Sequence, residues 1–282
     1  MKGMAQADIE LYGRKTFFIA PDTSLIPKSY LEEFMALGYQ TFIINDDYVC
    51  PMQTKIREIT RLYPEAILYF NIDSSIEGIE WKSYIRELQE FIGQQTLIGI
   101  FYLTRQNPAD EEHIKTYYVR DVQIRAGCFA LSQGNRSNFD SILSVLQQSG
   151  ARGRRNLVRA QCDSSSSVKF EYKGNGYSAK LLDVNLSYFR CDLLGRTDDF
   201  QIFNKIRDVS LYVNGTSFMS DAVLIMKRTV EEKTLCIFMF IKHDDSPDLP
   251  AEQAKSLNQK IYQIILNDNS NTLQNAFRNA DK

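Results

Sequence analysis

Arg152, Arg154, Arg155 and Arg159 fall within one eight-residue run, Arg-Gly-Arg-Arg-Asn-Leu-Val-Arg, with no acidic residue among them. A guanidinium offers a planar fork of donors that fits phosphate bidentately, so such a run can clamp a small phosphorylated ligand. It equally suits a solvated basic linker between two domains. The charge balance along the chain bears on the choice. Residues 1–150 carry 14 Lys+Arg against 19 Asp+Glu, a net of -5, and residues 151–282 carry 19 against 16, a net of +3. The second half is the better host for an anion, yet it is not basic enough for a DNA or RNA polymer.

Other chemistries find little support. His113 and His243 are the only histidines, and neither stands at metal-ligand spacing from other ligands. The five cysteines, Cys50, Cys128, Cys162, Cys191 and Cys236, are scattered, odd in number and without a CxxC, as expected of free thiols in a reducing cytoplasm. No Ser/His/Asp, Cys/His or paired-carboxylate arrangement emerges, so no enzyme activity and no cofactor are expected. No apolar run reaches the length of about 18 residues that a membrane span needs, and the N-terminus lacks the apolar core of a signal peptide. The expected location is cytoplasmic, without membrane insertion.

The arginine run sits where the hydrophobic period changes. Before it, short apolar segments alternate with helical stripes. Thr16–Ala20, Gln40–Ile44, Ala66–Phe70, Thr96–Leu103 and Cys128–Leu131 read as strands. Between them Tyr30/Phe34/Leu37, Met52/Ile56/Ile59/Tyr63 and Trp81/Ile85/Leu88/Ile92 mark helix faces, Glu111–Arg125 is expected to be helical, and Phe139/Ile142/Leu146 line a last helix. Pro27 opens the first helix and Gly38 ends it. This predicts an α/β domain with a doubly wound parallel sheet.

After the run the period is near 2. Val168, Phe170 and Tyr172 alternate with charged residues, Lys173-Gly174-Asn175-Gly176 marks a turn, and Asn214-Gly215 is a strong hairpin signal. The strand returning from Tyr177 is expected to continue past Ser187 to Leu194. Ala254, Leu257, Ile261 and Ile264 give a final helix. Six antiparallel strands and a helix predict a small barrel with a helical plug or lid. The expected layout is an α/β domain over 14–149, an arginine-rich hinge over 150–165, a barrel with its helix over 166–267 and a polar tail over 268–282.

Two resemblances follow. The first half is similar in order and spacing to the receiver domain of bacterial response regulators. Asn71 stands at the end of the third strand, where that family carries its phosphoacceptor aspartate; Asp73 lies two residues on, Asp22 is the acidic residue after the first strand, and Ser132-Gln133-Gly134 follows the fifth where a lysine is wanted. Thr104 matches the hydroxyl residue after the fourth. The domain is thus expected to be receiver-like but unphosphorylated. In the second half, Arg155-Asn156-Leu157-Val158-Arg159 fits RxxxR, with Arg154 doubling the first arginine. About twenty-five residues later Asp183-Val184-Asn185-Leu186-Ser187-Tyr188 resembles (D/N)xSxxG. The pair, in this order and in this kind of fold, resembles the PilZ domain.

The resemblance implies a receptor for cyclic di-GMP that couples nucleotide binding to domain reorientation and to a protein effector, of a kind that serves motility, adhesion or secretion. The ligand-binding residues it implies are Arg154, Arg155, Arg159, Asp183, Asn185 and Tyr188, with the arginines on phosphates and guanine edges and Asp183 on guanine N1 and N2. Two departures stand out. Asn185 replaces the serine of the motif and Tyr188 its glycine. If the glycine position needs positive φ, a tyrosine there is strained; its ring either blocks the site or stacks on a guanine. Taking Asn185 and Ser187 as the motif's polar pair instead puts Arg190 at the glycine position. The alternative function is a degenerate PilZ adaptor that binds protein and no nucleotide.

Overall fold

The computed structural model describes residues 13–47, 49–134, 136–154, 157–193, 201–230 and 233–280. By spatial proximity the chain forms two compact units, one running to Val158 and including the end of the chain from Ser270, the other Arg159–Asn269.

The first unit is built on strands that read as uninterrupted apolar runs. β1 (Thr16–Ile19), β2 (Thr41–Ile44), β3 (Ile67–Asn71), β4 (Leu97–Leu103) and β5 (Cys128–Leu131) form one parallel sheet in the order β2-β1-β3-β4-β5. Every residue of β1 and β3 is buried, as expected of strands covered on both faces. The helices are α1 (Lys28–Ala36), α2 (Met52–Leu62), α3 (Trp81–Phe91), α4 (Pro108–Lys115) and α5 (Ser137–Gln148). The β1-to-β2 connection runs opposite to the others, so right-handed crossovers put α1 on one face and α2, α3 and α4 on the other. Phe34 of α1 stacks on Phe139 of α5 with centroids 4.6 Å apart, which places α5 with α1.

Local signals set the helix ends. Gly38, at φ 90°, lets Gly38 N donate to Met35 O and Tyr39 N to Phe34 O, closing α1. Glu80 caps α3 by accepting from Lys82 N and Ser83 N. The single helix expected over Glu111–Arg125 is not formed. α4 stops at Lys115 and Thr116–Asp121 form a π-helical turn that buries Tyr117 and Tyr118. The wider turn brings two adjacent aromatics into the core, which one face of an α-helix cannot do.

The second unit is a closed six-stranded antiparallel barrel. β7 (Ser167–Tyr172), β8 (Asn175–Val184), β9 (Tyr188–Leu193), β10 (Lys205–Val213), β11 (Thr216–Val230) and β12 (Lys233–Ile241) are ordered β8-β7-β10-β11-β12-β9, and β9 pairs back to β8. A two-residue strand, β6 (Ala160–Gln161), extends the β7 edge of β8 through Ala160–Val184 and Gln161–Asp183. Lys173-Gly174 (φ 52° and 78°) and Asn214-Gly215 (φ 42° and 91°) make the two tight hairpins with positive φ at both central residues. The core runs through Val168, Phe170, Leu181, Phe189 and Phe238, and Leu257, Ile261 and Ile264 of the last helix join it.

Two expectations are corrected here. The strand from Tyr177 does not run on to Leu194: the chain reverses at residues 185–187, and β9 folds back onto β8. Residues 268–280, expected as a polar tail, continue the last helix, α6 (Ala251–Ala280), with Leu273, Ala276 and Phe277 buried. Apolar residues at i, i+3 and i+4 carry the helix through an otherwise polar stretch. Among the described residues no helix is long and apolar enough to cross a membrane.

Candidate functional site

The reversal after β8 builds a polar cluster on the barrel. A bulge lies between Leu181 and Asp183 in the β8–β9 ladder, and Asp183 then pairs directly with Arg190. Val184, Phe189 and Cys191 point into the core, so alternation turns Asp183 and Arg190 to the opposite face of the sheet. Asp183 is nonetheless only 1% exposed. Its carboxylate meets two guanidiniums: Arg159 Nη1 lies 3.2 Å from Oδ1 and Arg190 Nη2 lies 2.6 Å from Oδ2. The second approach is an ion contact off the hydrogen-bonding angle, since Asp183 Oδ2 and Arg190 Nε have no hydrogen-bond partner among the described residues. One carboxylate faces two guanidiniums, so the cluster carries net positive charge. Beside it, burial first, then the charges of Asp183 and Asp163, push the Cys162 thiol up to about 12. Cys162 therefore stays a thiol at neutral pH and is no nucleophile.

The turn itself is fastened by Asn185, which is 6% exposed. Its Oδ1 accepts from Ser187 N at 2.9 Å and Tyr188 N at 2.7 Å, and its own N–H donates to Tyr188 O at 2.9 Å. An amide that accepts from the N–H groups two and three residues on is a local turn device. Tyr188 opens β9, paired with Met239, and is not among the residues with positive φ. The strain that a tyrosine would suffer in a glycine-type conformation is absent. Its side chain is half-exposed and shares the outward face of β9 with Arg190.

Of the arginine run, Arg159 leads into β6 and reaches Asp183. Arg154 is exposed in the first unit, and Arg155 lies outside the described residues. Arg152 donates from Nη1 to Leu37 O at 3.2 Å and lies over Tyr39, 5.5 Å from the ring centroid. The structure thus brings Arg159, Asp183, Asn185 and Tyr188 to one hairpin end and adds Arg190. Opposite charges at cross-strand positions would have pointed to Arg190, had the reversal been legible.

A second polar locus sits at the C-terminal ends of the first unit's strands. A cavity of about 250 Å³ is lined by Ala20, Pro21, Asp22, Asn71, Asp73 and Gln133, among others. Asn71 is 4% exposed; its Nδ2 donates to Ala20 O at 3.0 Å and its Oδ1 accepts from Asp73 N at 3.2 Å. Asp73 is engaged by Arg105 on Oδ1 and by Leu103 N on Oδ2 at 2.7 Å. Asp22 Oδ1 accepts from Ser24 N at 2.8 Å, and Thr104 Oγ1 donates to Leu131 O at 3.1 Å. A buried amide thus ends the third strand, and Asp73 beside it is already ion-paired.

No protein-family model and no curated protein sequence matches the chain. Among solved structures it is similar to the PilZ domain with c-di-GMP of YcgR from Escherichia coli, at 14% identity and a TM-score of 0.36, over 42% of this chain and 96% of that one. It is also similar to MrkH of K. pneumonia in its apo state, at 12% identity and a TM-score of 0.37, over 43% of this chain and 55% of that one. A third is the Bacillus subtilis inhibitor of motility MotI/DgrA, at 14% identity and a TM-score of 0.34, over 49% and 58%. The match spans about half the length of the last two chains. The functional reading therefore rests on the residues of this chain.

Proposed function

We propose that the barrel and the arginine run that leads into it form a cyclic di-GMP receptor, an adaptor that passes nucleotide binding on to a protein effector. The observation that carries this reading is the cluster at the β8–β9 hairpin end: a buried carboxylate, Asp183, facing Arg159 and Arg190 with an excess of one positive charge. A cyclic dinucleotide brings two phosphate charges and two guanine faces. Arginine pairs with the first, and arginine or tyrosine stacks on the second. Arg154 and Arg155, which precede Arg159 in the chain, are proposed as further arginines for the same ligand. Ligand closing that run onto its site would reorient the domains it joins, and the reorientation would be read by the effector. Asp183, at 1% exposure, acts in this reading by holding the arginines rather than by meeting guanine itself.

A second reading is a protein-binding adaptor without a nucleotide. It is favoured by Asn185, whose Oδ1 is spent on Ser187 N and Tyr188 N and is not left for a base. Calorimetric titration of the full chain with cyclic di-GMP separates the two. Saturable binding at low micromolar affinity, about -8 kcal/mol, is the expected result. Absence of heat and of any melting shift at ligand concentrations far above that range leaves only the second reading.

A further inference from the structure

We infer that Arg190 is itself a phosphate-gripping residue of this site, acting with Arg159 across Asp183; this rests on the cyclic di-GMP reading. Asp183 is almost fully buried, so it presents little of itself to any ligand. The side chains of Arg159 and Arg190 remain 24% and 37% exposed. A single carboxylate neutralises one of the two, and the remaining positive charge lies where these side chains reach solvent. Arg190 also has an unspent donor, because its Nε is buried and lacks a hydrogen-bond partner among the described residues. A buried donor without an acceptor is uncommon in a finished fold and points to an acceptor that completes it.

The backbone explains why Arg190 can do this. It stands directly opposite Asp183 in the ladder, so its root is fixed by β-sheet pairing. Arg159, at the start of the barrel unit, sits on less regular chain just before β6. A phosphodiester oxygen bridging both would meet one guanidinium from a rigid strand and one from a segment able to adjust. The class of ligand is a phosphodiester anion small enough to lie on the barrel surface.

The competing role for Arg190 is that of a counter-ion that does nothing but neutralise Asp183. The two roles diverge when the carboxylate is removed as well. Cyclic di-GMP is titrated calorimetrically into the wild-type chain, Arg190→Ala, and Asp183→Asn/Arg190→Ala. Arg190→Ala is expected to weaken binding by about tenfold or more, the scale of a lost charge-assisted hydrogen bond. The double variant is expected to stay weak by about the same factor. Recovery of wild-type affinity in the double variant would make Arg190 a counter-ion only and overturn the inference. So would unchanged affinity in Arg190→Ala beside a wild type that binds, which leaves the receptor reading standing. A wild type that does not bind ends both. Should Arg190→Ala fail to fold, the double variant is compared with Asp183→Asn alone, which shares the loss of the carboxylate; equal affinity in the two would overturn the inference.

Discussion

The ion cluster makes a prediction about stability that needs no ligand. Asp183 is 1% exposed, while Arg159 and Arg190 are 24% and 37% exposed in their side chains. Removing the acid and removing the bases are therefore unequal perturbations. Without the carboxylate, both guanidiniums can turn toward water. Without the guanidiniums, the carboxylate stays where water reaches it poorly. Asp183→Asn should cost about 1 kcal/mol, the net worth of a hydrogen-bonded contact. Leaving a buried charge unpaired costs about 3–5 kcal/mol. Partial exposure of both arginines discounts that to about 2–3 kcal/mol for Arg159→Ala/Arg190→Ala. The diagnostic comparison is the triple variant, Asp183→Asn with both arginine changes. It removes more native groups than the double variant and should still be more stable, by about 1–2 kcal/mol, or roughly 5–30-fold in the opening equilibrium. Trp81 is the only tryptophan and lies in α3 of the first unit, so its fluorescence does not report on the barrel. Amide hydrogen exchange across β8 and β9 does. A triple variant that exchanges as fast as the double would show that the orphaned carboxylate is not the source of the loss.

Three further expectations follow from particular side chains. Burial pushes the Tyr69 hydroxyl up to about 12 although a bond to Ser149 pulls the other way. A folded pKa raised above the ordinary value of about 10 means that this stability is whole below pH 10 and is lost as pH climbs from about 10 to about 12. Tyr69→Phe should lose up to about 2–3 kcal/mol less over that window, and parallel alkaline unfolding curves by circular dichroism would refute it. Tyr188 needs no glycine-like backbone and shares its face with Arg190, so its ring is expected to stack rather than block. Tyr188→Phe should keep cyclic di-GMP affinity and Tyr188→Gly should lose about 1–3 kcal/mol; tighter binding by the glycine variant reverses the sign of this reasoning. Incubation with acetyl phosphate should leave the intact mass unchanged, since Asn71 is an amide and Asp73 is held by Arg105 and Leu103 N; an aspartyl phosphate on Asp73 or Asp22 would contradict that.

Much of the architecture was legible in the order of residues because hydrophobic period is a local property. Continuous runs such as Phe17-Phe18-Ile19 and Ile67-Leu68-Tyr69-Phe70, bounded by turn residues, read as strands buried on both faces, and Val168/Phe170/Tyr172 and Val209/Leu211/Val213 alternate toward one core. Asn214-Gly215 announced its hairpin because both central residues must adopt positive φ. The arginine run and Asp183 were visible as residue types at a spacing, and Asp183 and Arg159 do meet. Where the reading failed, hydrophobic period did not carry the deciding contact. Asn185-Leu186-Ser187 carries no glycine, so its only turn signals are the polar Asn185 and Ser187; the turn forms because Asn185 Oδ1 gathers two N–H groups and Ser187 O accepts from Phe240 N of β12. With the reversal hidden, Arg190 could not be paired with Asp183, although the bulge beside Leu182 and the ladder beyond it fix that pair. In the same way Tyr117 and Tyr118 required a π turn that α-helical period does not contain, and Leu273, Ala276 and Phe277 carried α6 through a stretch whose composition reads as tail. Sequence alone determined most of the strands and helices and which residues carry charge. Tertiary structure decided which charges face one another, because cross-strand register is set by where the chain turns and by what packs behind it.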